Sequence, residues 1–212
     1  MAAPSGPARW FFDVWSSFYD LPIVQRLTYR PVQDAVVDLL RAARPRRVID
    51  VGCGTGLLAA RLRHELDGAA VVGCDFSYGM LAHARVRHEP VGWVQGDAQH
   101  LPFRAAWADA IVSTEAFHWF PDKRQALAEF SRVLVPGGHL ILALVNTPNE
   151  IVRSAVRMGS RVVGQPFDWP TRAEMRELLE EAGFRVEAQK RVFRIPAGVL
   201  LPPVVTVGVR AS

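Results

Sequence analysis

An acidic residue stands immediately ahead of a glycine-rich turn in Val48-Ile-Asp-Val-Gly-Cys-Gly-Thr-Gly56, and this segment is the best equipped in the chain to hold a ligand. Gly52, Gly54 and Gly56 lack a Cβ, so a ligand can approach the turn's backbone N–H groups at the start of a helix. In dinucleotide sites that ligand is a pyrophosphate. Asp50 at the mouth of the turn argues otherwise, because a carboxylate repels a nearby phosphate and attracts an ammonium group. Two more acids extend the pattern. Asp75 lies nineteen positions after Gly56, close to the separation of about 20 residues that places an acid on ribose hydroxyls. Asp97, behind Gly96, can accept a hydrogen bond from an exocyclic amine such as that of adenine. Each aspartate taken singly reads as the cap of the next helix, but three at successive strand ends beside a glycine turn describe a phosphate-free, cationic nucleoside.

These acids need a frame that brings strand ends together, and the hydrophobic patterning supplies one. Val32, Val36, Leu39 and Leu40 share a helical face over 31–43, and the buried strand 47–51 follows. Leu58, Leu62 and Leu66 mark a helix that starts inside the glycine turn and stops at Asp67-Gly68. Strands are then expected at 69–74, 91–95, 108–113 and 139–145, with helices at 77–87 and 122–134; Pro136-Gly137-Gly138 breaks the last helix sharply. Residues 146–170 carry no clear period, apart from a short helix around 151–158. Thr171-Arg-Ala-Glu174 forms a capping box, and strands at 185–195 and 204–210 close the chain as an antiparallel pair. Alternation of this kind predicts an α/β fold: a Rossmann-like, doubly wound sheet of mostly parallel strands with helices on both faces, binding its ligand outside the carboxyl ends of the strands. We expect one domain over 1–212: an aromatic N-terminal lid segment (1–30), a binding core (31–145), a variable connection (146–170), and a C-terminal helix and strand pair (171–212).

Composition narrows the function classes. Half of the 212 residues are hydrophobic, which fits an ordered globular chain. The net charge is +4, but the basic residues are spread out, and the one tight group, Arg41, Arg44, Arg46 and Arg47, reads as a solvated helix end rather than a nucleic-acid surface. Cys53 and Cys74 have neither disulfide nor metal spacing, so no metal is expected. With no leader pattern and no apolar run long enough to span a bilayer, a cytoplasmic location without an integral membrane segment is expected. A homo-oligomer is left open.

S-adenosylmethionine meets the description of the ligand. At this point the chain closely resembles the class I S-adenosylmethionine-dependent methyltransferases, especially the small-molecule branch that includes the ubiquinone and menaquinone biosynthesis methyltransferases. The resemblance rests on Val48 to Gly56, Gly73-Cys-Asp-Phe-Ser77, Gly96-Asp-Ala-Gln-His-Leu-Pro-Phe103, Ala108-Asp-Ala-Ile-Val112 and Leu134-Val-Pro-Gly-Gly-His-Leu140, and runs from about residue 16 to 210. It implies that Asp50, Gly52, Cys53, Gly54 and Gly56 border the methionine moiety. It also implies that Asp75 bonds the ribose, that Phe76 and Met80 pack near the adenine, and that Asp97 with Ala98 reads the adenine amine. Seven strands with the last antiparallel are implied as well.

Methyl transfer from a sulfonium needs alignment more than covalent help, and a base only when the nucleophile arrives protonated. The candidate base is His118 in Ser113-Thr-Glu-Ala-Phe-His-Trp-Phe120; a packing or hydrogen-bonding role is weighed beside it. Glu115 and Trp119 are candidate acceptor contacts. Phe18 and Tyr19, from an opening segment crowded with Trp10, Phe11, Phe12 and Trp15, join Trp119 and Phe120 as candidate walls of an apolar chamber, with a role covering the edge of the core weighed equally for that segment. A small apolar acceptor is expected, such as a quinone, a phenol or a carboxylate, with S-adenosylhomocysteine as the second product. Nucleic acid is disfavoured, since Ser113-Thr-Glu-Ala116 replaces the Asn-Pro-Pro-Tyr element of amino-methylating enzymes. The alternative is a non-catalytic regulatory or accessory protein that binds S-adenosylmethionine.

Overall fold

The computed structural model describes residues 29–88, 91–147, 150–162, 168–192 and 203–211. Its elements run α1 (Arg30–Ala43), β1 (Arg47–Val51), α2 (Leu57–Glu65), β2 (Ala70–Asp75), α3 (Tyr78–Arg87), β3 (Gly92–Gln95), β4 (Ala108–Thr114), a 3-10 turn (Phe117–Trp119), α4 (Lys123–Val133), β5 (Leu134–Val145), α5 (Glu150–Val162), α6 (Arg172–Glu181), β6 (Phe184–Arg191) and β7 (Pro203–Arg210). The seven strands form one sheet in the order β3-β2-β1-β4-β5-β7-β6. Pairing is parallel from β3 to β5. β7 runs antiparallel to both β5 and β6, so the last strand is inserted inside the sheet and β6 forms the edge.

Strand alternation decides which layer each side chain joins. Ile49 and Val51 turn to a core shared with Leu127, Phe130 and Val133 of α4 and Met175 and Leu179 of α6. Val48 turns to the opposite core, against Val36 and Leu40 of α1 and Leu58 and Leu62 of α2. The apolar stripes of α1, α2 and α4 are therefore the surfaces that hold the sheet between two helical layers. Short polar side chains start α3, α4 and α6: Ser77 Oγ accepts from Met80 N (3.3 Å), Asp122 Oδ1 from Gln125 N (2.9 Å) and Thr171 Oγ1 from Glu174 N (3.2 Å).

Three boundaries differ from the expected ones. Pro136-Gly137-Gly138 does not separate α4 from β5. Pairing begins at Leu134 opposite Ala108 and resumes at His139 opposite Ala110, so the motif is an irregularity inside a longer strand. The helix expected near 151–158 extends over Glu150–Val162. The capping box is half made, because Glu174 pairs with Arg153 at 2.5 Å.

Candidate functional site

The glycine turn, Asp75 and Asp97 meet at one edge of the sheet because β1, β2 and β3 are adjacent and parallel. A short series of backbone hydrogen bonds ties their carboxyl ends: Gly52 N donates to Cys74 O (2.8 Å) and Gly96 N to Asp75 O (3.0 Å). The Asp75 carboxylate is the latch between them. Its Oδ2 accepts from Gly54 N at 2.7 Å and its Oδ1 from Ser77 N at 2.8 Å. Burial raises the Asp75 pKa while these two N–H donors hold it down.

Two of the glycines answer to different demands. A Cβ on Gly56 would fall within the ring of Trp93 on β3, so this position is closed by packing. Gly54, at φ +55, has nothing within 4 Å of where a Cβ would stand, so its left-handed turn faces open space that a ligand can enter. Gly52 is pressed against Ala116 and Phe120 from the segment after β4, which brings that segment against the turn.

Asp50 is not at the mouth of the turn. It is the next-to-last residue of β1 and only 1% exposed, and neither carboxylate oxygen makes a hydrogen bond among the described residues. Burial, then the neighbouring Asp75 charge, push its pKa up to about 7, against a smaller pull from the Ala59 amide in the first turn of α2. A buried carboxylate with unused lone pairs beside a second carboxylate is a site of negative potential that a cation relieves. This fits a cationic methionine moiety better than a phosphate.

The remaining expected cofactor contacts stand around this floor. Phe76 projects from the end of β2 with 56% of its surface exposed, and Met80 sits partly buried in the first turn of α3. Ala98 is buried, and Asp97 accepts from Gln99 N at 2.9 Å. Gln99 also receives the Asp122 amide at 3.0 Å, which ties Asp97 to the start of α4. Cys53 is partly buried, and burial together with Asp50 and Asp75 keeps its thiol protonated.

Past β4 the chain turns through Glu115, a non-glycine residue at φ +53 whose amide donates to Ala143 O at 2.7 Å. Such strain persists only where the surroundings enforce it. His118 follows, buried at 7% exposure, its ring centroid 5.0 Å from that of Trp119 and 5.9 Å from that of Trp169. Burial, aided by the Lys123 charge, lowers its pKa to about 3. Phe18 and Tyr19 lie outside the described residues.

Trp93, Trp169, Asp168 and Arg153 belong to this region and were not among the residues expected there. Trp93 occupies a short strand. The others come from the connection without a period, where Arg153 grips Asp168 through two hydrogen bonds (2.8 and 2.6 Å) and the Asp168 amide donates to His118 O (3.3 Å). Asp168-Trp-Pro170 directly ahead of the capping box was the available signal. Among the described residues no group of acidic, cysteine or histidine side chains is arranged to hold a metal, and no helix is long and apolar enough to cross a membrane.

Comparison with known proteins agrees with this geometry. A family model described as a methyltransferase domain matches residues 49–142. The malonyl-[acyl-carrier protein] O-methyltransferase of Hahella chejuensis is 39% identical over 138 residues, covering 64% of this chain and 48% of that protein, so the chain spans about half of that relative's length. The demethylmenaquinone methyltransferase of Beutenbergia cavernae is 33% identical over 171 residues, 71% of this chain and 70% of that protein. A methyltransferase structure from Thermotoga maritima superposes with a TM-score of 0.74 over 94% of this chain and 96% of its own, at 24% identity, and shares the fold. Sheet order, glycine turn and sequence likeness thus converge, and the chain belongs to the class I S-adenosylmethionine-dependent methyltransferases, in their small-molecule branch.

Proposed function

We propose that the chain transfers a methyl group from S-adenosylmethionine to a small apolar acceptor, a quinone ring or a carboxylate foremost. The observation that carries this reading is the pair Asp50 and Asp75 beneath an open glycine turn. Asp50 and Gly52 to Gly56 would hold the methionine end, Asp75 the ribose, and Phe76, Met80, Asp97 and Ala98 the adenine. Bound there, the sulfonium supplies an electrophilic methyl carbon and leaves as a neutral thioether. The chain's own contribution is alignment and exclusion of water, which can supply roughly 7–11 kcal/mol in well-oriented reactions.

The acceptor side is supported by the aromatic residues next to the turn: Phe120 borders Gly52, and Trp119 and Trp169 flank His118. Relatives named for demethylmenaquinone and for a malonyl thioester favour a quinone or a carboxylate over a phenol. A histidine held at a pKa of about 3 is neutral at physiological pH and a weak base. We therefore assign His118 to orienting the acceptor, with Glu115 and Trp119 as further contacts. His118→Asn should lower the rate while leaving the pH–rate profile between roughly pH 6 and 9 unshifted; a lost inflection in that range would restore His118 as the base.

Calorimetry tests the cofactor assignment. Wild type should bind S-adenosylhomocysteine and not NAD, and Asp75→Ala should weaken binding by a factor of ten or more, about 1.4 kcal/mol. Unchanged affinity in Asp75→Ala removes the ribose role. Release of S-adenosylhomocysteine with demethylated quinones or carboxylates then separates an enzyme from a protein that only binds the cofactor.

A further inference from the structure

The loop after β3 is stitched to α4 by side-chain hydrogen bonds of two kinds. Leu101 N donates to Glu129 Oε2 (2.8 Å), and Arg132 donates to Leu101 O (3.1 Å) and Phe103 O (2.8 Å), so the loop is held against the C-terminal half of the helix. At the helix start the tie runs through Asp97. Gln99 Nε2 faces both Asp97 carboxylate oxygens, at 3.2 and 3.3 Å, and Gln99 N donates to Oδ1 at 2.9 Å. The other end of the same carboxamide, Oε1, accepts from Asp122 N at 3.0 Å, and the Gln99 carbonyl accepts from Gln125 Nε2 at 3.1 Å. A carboxylate only accepts and a backbone N–H only donates, so the carboxamide fits in one orientation; a glutamate in its place could serve Asp122 but not Asp97. Asp122 caps α4 and stands four residues past His118 and two past Phe120, which borders Gly52. The chain between β4 and α4 is thus pinned upstream by Glu115 N on Ala143 O and downstream by Gln99. These Gln99 bonds lie at or near solvent, so they add little to stability, and the Glu129–Arg132 set already joins loop to helix.

We propose that Gln99 is a positioning residue that passes recognition of the adenine amine at Asp97 on to the proposed acceptor wall. An amine bonded to Asp97 fixes that carboxylate, the carboxylate fixes the Gln99 carboxamide, and the carboxamide fixes Asp122 N and with it the chain from His118 into the first turn of α4. Methyl transfer needs sulfonium and acceptor aligned together, and this link orders the acceptor side once the base has been read. The coupling is reciprocal, so an acceptor seated on the wall strengthens cofactor binding by the same factor. The inference rests on the proposed adenine role of Asp97 and adds the side chain that carries its effect.

Hydrogen–deuterium exchange of the full chain, at ligand concentrations giving equal saturation, tests it. In wild type, S-adenosylhomocysteine should slow amide exchange at 52–58 and also, by about fivefold or more, at 117–126. Its inosine analogue, with a carbonyl in place of the 6-amine, should slow exchange at 52–58 alone. Gln99→Met should keep protection at 52–58 and lose it at 117–126. Gln99→Glu, which retains an acceptor for Asp122 N but sets a second carboxylate against Asp97, should lose it as well. The analogue arm uses unaltered protein, so it reads the link even if a variant folds poorly. Equal protection of 117–126 by the two compounds overturns the proposal, as does persistence of that protection in either variant. Absence of protection at 52–58 with S-adenosylhomocysteine overturns the cofactor reading itself, and the link with it, so the two failures give different results.

Discussion

A buried carboxylate with no hydrogen bond is a costly residue to keep, and Asp50 shows what the cost does. Folded, it gives up its proton near pH 7 and, in an unfolded chain, near 3.8. Between these values the folded state holds the extra proton, so stability should fall as pH rises, by at most about 1.4 kcal/mol per pH unit, and level off above pH 7. Urea unfolding of wild type and Asp50→Asn across this window checks it; the variant should lose most of the slope. A cationic ligand favours ionised Asp50, so cofactor affinity should rise with pH through the same range. The glycines make a second, sharper contrast. Gly56→Ala drives a methyl group into Trp93 and should destabilise by roughly 1–3 kcal/mol, with further strain from its φ of +82. Gly54→Ala meets no neighbour, so it should cost stability only the backbone strain of about 1–2 kcal/mol and show its main effect as weaker S-adenosylhomocysteine binding. Denaturation and calorimetry on the pair separate packing from ligand approach.

At the scale of elements, Arg153 ties α5 to the body. Asp168 raises the Arg153 pKa through paired hydrogen bonds, so the guanidinium stays charged at every accessible pH. Truncating it leaves Asp168 and Glu174 partly buried without their partner. Arg153→Gln should therefore lower stability by roughly 1–3 kcal/mol, a value discounted because both carboxylates keep some contact with water. Arg153→Lys should recover only part of this, since an ammonium cannot reproduce the two-pronged geometry. Because the Asp168 amide also holds His118 O, the loss should raise KM for the acceptor more than the dissociation constant for S-adenosylhomocysteine. Equal changes in both would place the clamp in general folding rather than in the acceptor wall.

For the whole molecule, the proposed cofactor site and the fold are linked through the carboxyl edge of the sheet, where Gly52, Gly54 and Gly96 hydrogen-bond into β2. A ligand seated on three strand ends stabilises the folded state by about 2.7 kcal/mol at a hundred times its dissociation constant. In a chain of this size that corresponds to a rise of roughly 5–10 °C in Tm. S-adenosylhomocysteine should produce it and NAD should not, as followed by thermal unfolding; a shift with NAD alone would contradict the phosphate-free reading of the turn.

Among the described residues the order of the main helices and strands, the glycine turn and the acids at successive strand ends were legible in the residues themselves, because buried strands, helical stripes and caps are local patterns of period and side-chain chemistry. The small boundary shifts at Gly92, Lys123 and Thr114 belong to the same local level. Other features depend on which neighbour the fold supplies. β7 enters the sheet between β5 and β6, and Trp93 closes over Gly56 across two strands. Asp50 lies behind the turn rather than at its mouth because the alternation of β1 turns it inward and α2 covers it. The proposed acceptor wall joins residues some fifty positions apart, His118 with Trp169, and no local period records a contact of that separation. Sequence determined the chemistry at each strand end; only tertiary packing decided which of those groups meet water, which meet each other, and therefore what charge they carry.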